Sequence, residues 1–586
     1  MRGTVGAIIL SGGRGSRLGG VDKARLPVAG RPMVETVLGA ARAVAGPAIT
    51  VGPGGDARED PPHSGPVAGI AAGLACLPDG VDVVVVVACD LPQLDSGTLR
   101  ALVDTVRTSG ASAALGVDAA GHEQYLLAAW DRRALAARLA RLEATGGVAG
   151  RAVRALYDDD DTVAAGFVHV PVGAQALDVD TWADLAGRGP VALAHVGAIL
   201  AAGLDAVPAA RLAPLYAVGA VLAAPLIAAD PMPRGRVSAM DGYALAGPGD
   251  WRLTGAARRA GDGSAATLEP GCAAPIATGA LAPAGADRVL RHELVEVSPS
   301  DGGPALVTAL GAAEGIDDLR PVGEDWPAGH VLAPEGATLD AALASAALSS
   351  ALTGVVARGP VRATVVTTGD EVLPADTPPP LPDGRIRDTI GPLLGAVLER
   401  AGFGPATAAV EHCPDTEAEF EALLHRPRGA GEVLVLVGAT GRGVADHLRP
   451  ALERAGARIV LDGVRVRPGG SQIVAALPGG GVLLGLPGNP LAAVCAAATT
   501  GRALVDALTG RRRTPVLAPV PDLAELAAPT RSRILPARPD GSGGWSVDER
   551  VRTAHLADLV GAPSLALIPE DGAGAGAELV ELIDWI

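Results

Sequence analysis

Aromatic residues make up only 2% of this 586-residue chain, so its cores are not built on Phe, Tyr and Trp and must pack Ala, Val and Leu closely. Cysteine is scarce as well. Cys76, Cys89, Cys272, Cys413 and Cys495 are scattered and never form a CxxC pair, which excludes a thiolate zinc cluster and implies a reducing, cytoplasmic setting. A basic excess is missing too: the net charge of -17 argues against a general nucleic-acid binder and places the cations at small anion sites. MRGTVGAIIL runs straight into a glycine loop, which is not the architecture of a secretory signal. One apolar run, Leu212 to Ala229, has the length of a membrane span. Its two prolines, its glycine and its alanines predict a buried helix plus strand instead, so neither membrane nor nucleic acid is an expected partner.

The length exceeds what one core supports, so several domains are expected. Residues 1–188 alternate short apolar runs with Ala-rich stretches. Strands are predicted over Val5–Leu10, Ala48–Val51 and the run VDVVVVVACD ending at Asp90, and helices over Pro32–Val44, Val67–Leu77 and Ser96–Ser109. Unbroken Val runs suit strands covered on both faces, hence a parallel α/β sheet and a Rossmann-like domain. The pattern changes near Gly187. Residues 190–358 read as a helical stretch with a β-rich insertion at about 235–325, and residues 359–510 return to α/β alternation, with a helix over Gly391–Ala401. Residues 511–586 read as a small β domain, expected to be a barrel. Two α/β units, each with its own glycine turns, suggest a fusion of two proteins.

The first strand is followed by SGGRGSRLGGVDKARLP, Ser11 to Pro27. A P-loop needs GxxxxGK[ST], which is missing, and a dinucleotide fingerprint needs GxGxxG, but position 18 is Leu. What remains is a strand, a glycine turn that exposes backbone N–H groups, and Arg17 and Lys23 beyond it. Amides and two cations suit a triphosphate and the charge that builds at phosphorus. Asp90 ends a buried Val run, so its carboxylate emerges at the carboxyl edge of the sheet, where open α/β sheets bind ligands. A hard carboxylate there suits Mg²⁺ on nucleotide phosphates.

LSGGRGSRLGGVDKARL resembles the LxGGxxxRMGxxDK signature of molybdenum cofactor guanylyltransferases. SGPVAGI (Ser64–Ile70), ACDLP (Ala88–Pro92) and LDVDTWADL (Leu177–Leu185) resemble that family's later elements in order. The resemblance implies GTP as substrate, with Leu10, Ser11, Gly12 and Gly13 in the nucleotide site and Asp60 near the nucleoside. It implies Arg17 and Lys23 on the leaving pyrophosphate and Mg²⁺ on Asp90. Two features depart from the family: its NxN becomes Asp178 and Asp180, and its second-strand Asn is missing from VGPG (Val51–Gly54). CTP or a sugar phosphate are the alternative substrates.

In the second unit SAMDGYAL, Ser238 to Leu245, sets one acid among small residues, which suits a loop presenting a carboxylate. It resembles the SAMDGYA motif of molybdopterin molybdenumtransferases. ATGALAPAGAD (Ala277–Asp287), GEDWPAG (Gly323–Gly329), TTGDEVLP (Thr367–Pro374), LPGNPLA (Leu486–Ala492) and LADLVGAPSLALIPEDG (Leu556–Gly572) follow in that family's order. TTGDEV and VGATGRG both follow Val-rich strands, so their glycines and hydroxyls offer donors to phosphate or molybdate. The resemblance implies a molybdopterin site on Thr278, Gly279, Thr368, Gly369, Asp370, Gly443, Arg467, Pro487 and Asn489. It implies catalytic acids at Asp241, Glu324, Asp370 and Asp446, with a metal on Asp241 and Glu324.

The same resemblance implies molybdate and adenylylated molybdopterin as substrates, Mg²⁺ in both units and a homodimer formed through the C-terminal unit. Three stretches depart from the family: Arg234 and Arg236 replace an aromatic and an acid, GATGRGVADH loses a serine, and Gly470 replaces a lysine. Arg465 and Arg467 lie close to that last position in sequence. The expectation is a bifunctional enzyme that inserts molybdenum and then adds GMP. The alternative for the second half is a cofactor-binding scaffold without catalysis.

Overall fold

The computed structural model describes residues 4–12, 18, 22–28, 31–118, 120–158, 166–254, 256–263, 267–300, 302–405, 410–441, 447–521, 523–528, 530–548, 551, 555–570 and 579–586. Four expected site residues, Gly13, Arg17, Gly443 and Asp446, lie outside the described residues.

The N-terminal unit is built on a six-stranded sheet in the order Ala48–Val51, Thr4–Leu10, Val81–Ala88, Glu123–Asp131, Ala113–Val117, Phe167–Pro171. Along Val81–Ala88 alternate valines feed two cores. Val83, Val85 and Val87 pack on one face and Val84 and Val86 on the other, which is why the run is unbroken. Ser96–Ser109 is helical because Leu99, Leu102, Val103 and Val106 recur at helical spacing. Asp95 caps its first turn by accepting from Thr98 N–H, and Gly110 ends it in the left-handed region.

The sheet is mixed, not parallel as the Val runs predicted. Val81–Ala88 pairs parallel with Thr4–Leu10 but antiparallel with Glu123–Asp131. The cause is local. A turn at Asp118–His122, with Gly121 at φ +86°, folds Ala113–Val117 and Glu123–Asp131 into an antiparallel pair.

Between Leu212 and Ala229 the prolines prevent the expected helix. The chain forms a short 3₁₀ turn, Pro214–Tyr216, and strands Val221–Leu222 and Leu226–Ile227. Residues 242–309 carry a separate six-stranded sheet. The second α/β sheet runs Glu411–Cys413, Arg362–Thr368, Glu432–Val437, Val482–Leu486, Ile473–Ala476, Arg458–Asp462, with the first four strands parallel. The apolar helix Pro490–Thr509 is long enough to cross a membrane, yet 78% of its most apolar window is buried inside the protein.

The C-terminal sheet runs Val516–Pro519, Leu579–Asp584, Ser564–Ile568, Ser532–Pro539, Val464–Arg467, Val191–Ala192. Among the described residues no pairing closes it into the expected barrel. Its last two strands come from outside the C-terminal segment.

Candidate functional sites

Leu10 and Ala88 are register partners in parallel strands, so both strands end at one edge of the N-terminal sheet. There the Cys89 N–H donates to the Leu10 carbonyl at 3.0 Å and the Ser11 N–H to the Val51 carbonyl at 2.8 Å. Three strand ends are thereby drawn together. Lys23 reaches into this edge from a one-turn 3₁₀ helix capped by Asp22. Its Nζ lies 2.6 Å from Asp90 Oδ2 and 2.5 Å from Asp180 Oδ1. Burial alone would lower the Lys23 pKa, but the charge of Asp90 and the hydrogen bond to Asp180 outweigh it and raise it. The ammonium is therefore fixed as a cation. Partial desolvation, followed by the charges of Asp180 and Asp90, raises the Asp178 carboxyl.

Lys23 is the only lysine in the chain; every other cationic side chain among the 48 Lys and Arg is arginine. A compact ammonium on a flexible stem fits between carboxylates and phosphates where a planar guanidinium does not.

A cavity of about 380 Å³ opens beside this cluster, with Leu10, Gly12, Glu59, His63, Cys89 and Asp90 on its wall, a volume that suits a small ligand. Besides Asp90, the acid on its wall is Glu59, buried and accepting from the His63 N–H at 3.0 Å, whereas Asp60 is exposed beside it. Gly12 lies against this acid: a Cβ there would stand 3.5 Å from Glu59 Oε1, in ordinary van der Waals contact. Ser11 turns its hydroxyl to the Val51 carbonyl. Burial, then the Asp90 charge, pushes the Cys89 thiol up to about 12, so it is no nucleophile.

In the second unit three glycine turns meet at the strand ends. A Cβ at Gly438 would lie 3.1 Å from Thr368 Oγ1, and one at Gly488 would lie 3.6 Å from Gly438 Cα. Thr368, Gly369, Pro487 and Asn489 are thus neighbours. Asn489 caps the helix Pro490–Ala496. Thr368 Oγ1 donates to Asp415 at 2.9 Å, and Asp370 accepts from the Asp415 N–H at 3.3 Å, so Asp415 joins the site without a sequence motif to announce it. Arg467 is exposed at a strand end, and the loop after it packs on that same helix: a Cβ at Gly469 would meet the Ala492 carbonyl at 3.1 Å.

Asp241 is exposed and accepts from Thr278 N–H at 2.7 Å and Oγ1 at 3.0 Å, bonds that lower its pKa; Gly279 follows at φ +77°. Glu324 is ion-paired with Arg320. Val237–Ser238 pairs antiparallel with Leu319–Arg320, so the chain carries Asp241 and Glu324 past opposite ends of that ladder. Among the described residues no three His, Cys, Asp or Glu side chains group closely enough to hold a metal ion.

Residues 191–351 match the MoeA N-terminal region, domains I and II, and residues 364–506 match a probable molybdopterin binding domain. A molybdopterin molybdenumtransferase of Synechococcus elongatus is 31% identical over 367 residues, spanning 60% of this chain and 87% of that protein. The chain belongs to the molybdopterin molybdenumtransferase family. Fused ahead of it, residues 7–162 match the MobA-like NTP transferase domain. A Staphylococcus epidermidis molybdenumtransferase is 27% identical over 47% of this chain and 65% of its own length. A solved MoeA protein of Pyrococcus horikoshii OT3 shares the fold, with TM-score 0.50 at 18% identity, covering 67% of this chain and 100% of that one.

The fusion carries two enzymatic units of molybdenum cofactor biosynthesis. In this molybdenumtransferase Gly470 is not an open stand-in for lysine. A Cβ there would meet the Val464 and Val466 carbonyl oxygens, each at 3.1 Å. Arg465, the nearby cation, is paired with Glu570 at 2.5 Å.

Proposed function

We propose that the C-terminal unit inserts molybdate into adenylylated molybdopterin with release of adenylate. The N-terminal unit then transfers GMP from GTP to the cofactor. In that second step a terminal phosphate oxygen of the cofactor attacks the α-phosphorus, the α–β bond breaks, and pyrophosphate leaves. The observation that carries this reading is the ion cluster of Lys23, Asp90 and Asp180 beside a cavity walled by Glu59.

Each participant has work suited to its chemistry. The Lys23 ammonium neutralises charge on the departing pyrophosphate, and the buried strand ends hold it in place beforehand. Asp90 and Asp180 offer hard oxygen donors that already converge on one cation, a set that fits Mg²⁺ arriving with the phosphates. A bound Mg²⁺ would supply further screening of phosphate charge. No covalent intermediate is needed, in keeping with the unreactive Cys89.

Glu59 supports guanine as the base. The Watson–Crick edge of guanine presents two adjacent donors, N1–H and the 2-amino group, which a carboxylate accepts together. Cytosine presents one donor beside a ring acceptor that a carboxylate repels. Glu59→Gln is expected to lower the ratio of GTP to CTP turnover by roughly 10- to 100-fold, the value of one charge-assisted hydrogen bond. Mass analysis of the pterin product after feeding each triphosphate with adenylylated molybdopterin and molybdate measures this. An unchanged ratio would remove Glu59 from base selection, and a cytosine dinucleotide from the unaltered chain would overturn the guanylyl reading.

Exposed Leu215, Tyr216 and Leu348 in the C-terminal unit support association as a homodimer. Five free cysteines support a reducing, cytoplasmic setting.

A further inference from the structure

Residues 177–195 are not a flexible tether between two enzymes. At their start the Val179 N–H donates to the Asp90 carbonyl at 3.1 Å, and Asp180 holds Lys23. Asp184 Oδ2 then ties the turn by accepting from Asp180 N–H at 2.9 Å and Thr181 Oγ1 at 2.8 Å. Beyond that turn the same segment enters the other unit. Gly187 N–H donates to the Val460 carbonyl and Val191 N–H to the Gly463 carbonyl, both at 3.2 Å. Val191–Ala192 pairs in parallel register with Val464 and Arg465. Gly187 is glycine for a reason: at φ +68° a Cβ would stand 2.9 Å from the Ile459 carbonyl oxygen.

The side chains agree with the backbone. Trp182 packs on His195 with ring centroids 4.8 Å apart. Leu26, Met33 and Val179 of the nucleotide unit share one continuous core with Val196, Ile199, Val460 and Val464 of the other. Val460 fills the groove left by Gly203, where a Cβ would lie 2.4 Å from its Cγ1.

We propose that this segment is a rigid strap through which the Lys23–Asp90–Asp180 cluster and the strand Val464–Arg467 stabilise one another. Ordering either end raises the cost of opening the other, and the coupling is reciprocal because it is a single free energy. In consequence, the nucleotide unit is held by the molybdopterin unit at its own catalytic edge. The functional meaning of this coupling, communication between molybdenum insertion and GMP transfer, rests on the proposed function. The coupling itself does not.

The test is amide hydrogen exchange on the full chain without nucleotide, comparing the unaltered protein with Val460→Ala. The expected result is about tenfold faster exchange at the Val179 and Met33 amides, with Val86, in the middle of the nucleotide sheet, unchanged. Faster exchange at Val191 with Val179 and Met33 unmoved would overturn the strap. Should Val460→Ala fail to fold, Trp182→Leu enters from the other side. It is expected to speed exchange at the Val191 and Val464 amides about tenfold, and no change there would overturn the proposal equally. Because no nucleotide or pterin enters the assay, an error in the assigned reaction leaves its outcome unaffected.

Discussion

Asp90→Ala is expected to slow dinucleotide formation by about 10²- to 10³-fold while molybdenum insertion by the same polypeptide continues at its normal rate. The carboxylate sits at the end of a fully paired central strand and faces the Lys23 ammonium. Its removal takes away a hard oxygen donor and half of what positions Lys23, leaving Asp180 as the remaining partner. The strand does not depend on it, since Val83 to Val87 stay buried in their two cores. Circular dichroism should therefore be unchanged. Product mass analysis with GTP and preformed molybdenum cofactor reads the rate. A variant that is folded and equally fast would show that Asp90 takes no part in the transfer.

The second large effect is expected at Asp241. Asp241→Ala should lower molybdenum insertion by about 10²-fold and leave GMP transfer to preformed cofactor untouched. The side chain is exposed and, among the described residues, its hydrogen bonds go to Thr278, so the fold loses little. Its ionised form is favoured by those bonds and stays available across the neutral range. Undiminished insertion would show that Asp241 takes no part in it. Loss of both activities would mean that the variant had disturbed the strap rather than one site.

Much of the nucleotide edge was legible in the sequence, for identifiable reasons. A Val run that ends in an acid places that acid at a sheet edge whatever its neighbours do, and Asp90 is there. Ser96–Ser109 carried both its cap and its stop in the residues themselves. The direction of neighbouring strands was not legible, because a strand buried on both faces reads the same beside a parallel or an antiparallel partner. Nor was the choice between Glu59 and Asp60. Adjacent acids face opposite ways according to the path of the loop, and the His63 N–H, four residues on, holds Glu59 inward.

The order of motifs likewise carries no distances. Asp241 and Glu324 both stand in strong motifs, yet antiparallel pairing puts them past opposite ends of one ladder. Asp415 had no motif at all. The two-residue strand Val191–Ala192 is too short for any periodicity to show, although it joins the units. One signal lay open in the sequence: a chain that uses arginine everywhere else keeps a single lysine, at position 23.

That single lysine makes the most direct measurement simple. Apart from the amino terminus, an amine-reactive acylating reagent has one target in the intact protein, and its rate of modification can be followed by mass spectrometry with and without Mg²⁺ and GTP. A triphosphate gripped by Lys23 should slow acylation at that position by about tenfold or more, and CTP should protect far less. Equal acylation rates at saturating GTP would contradict the account, since the ammonium would then be facing no phosphate.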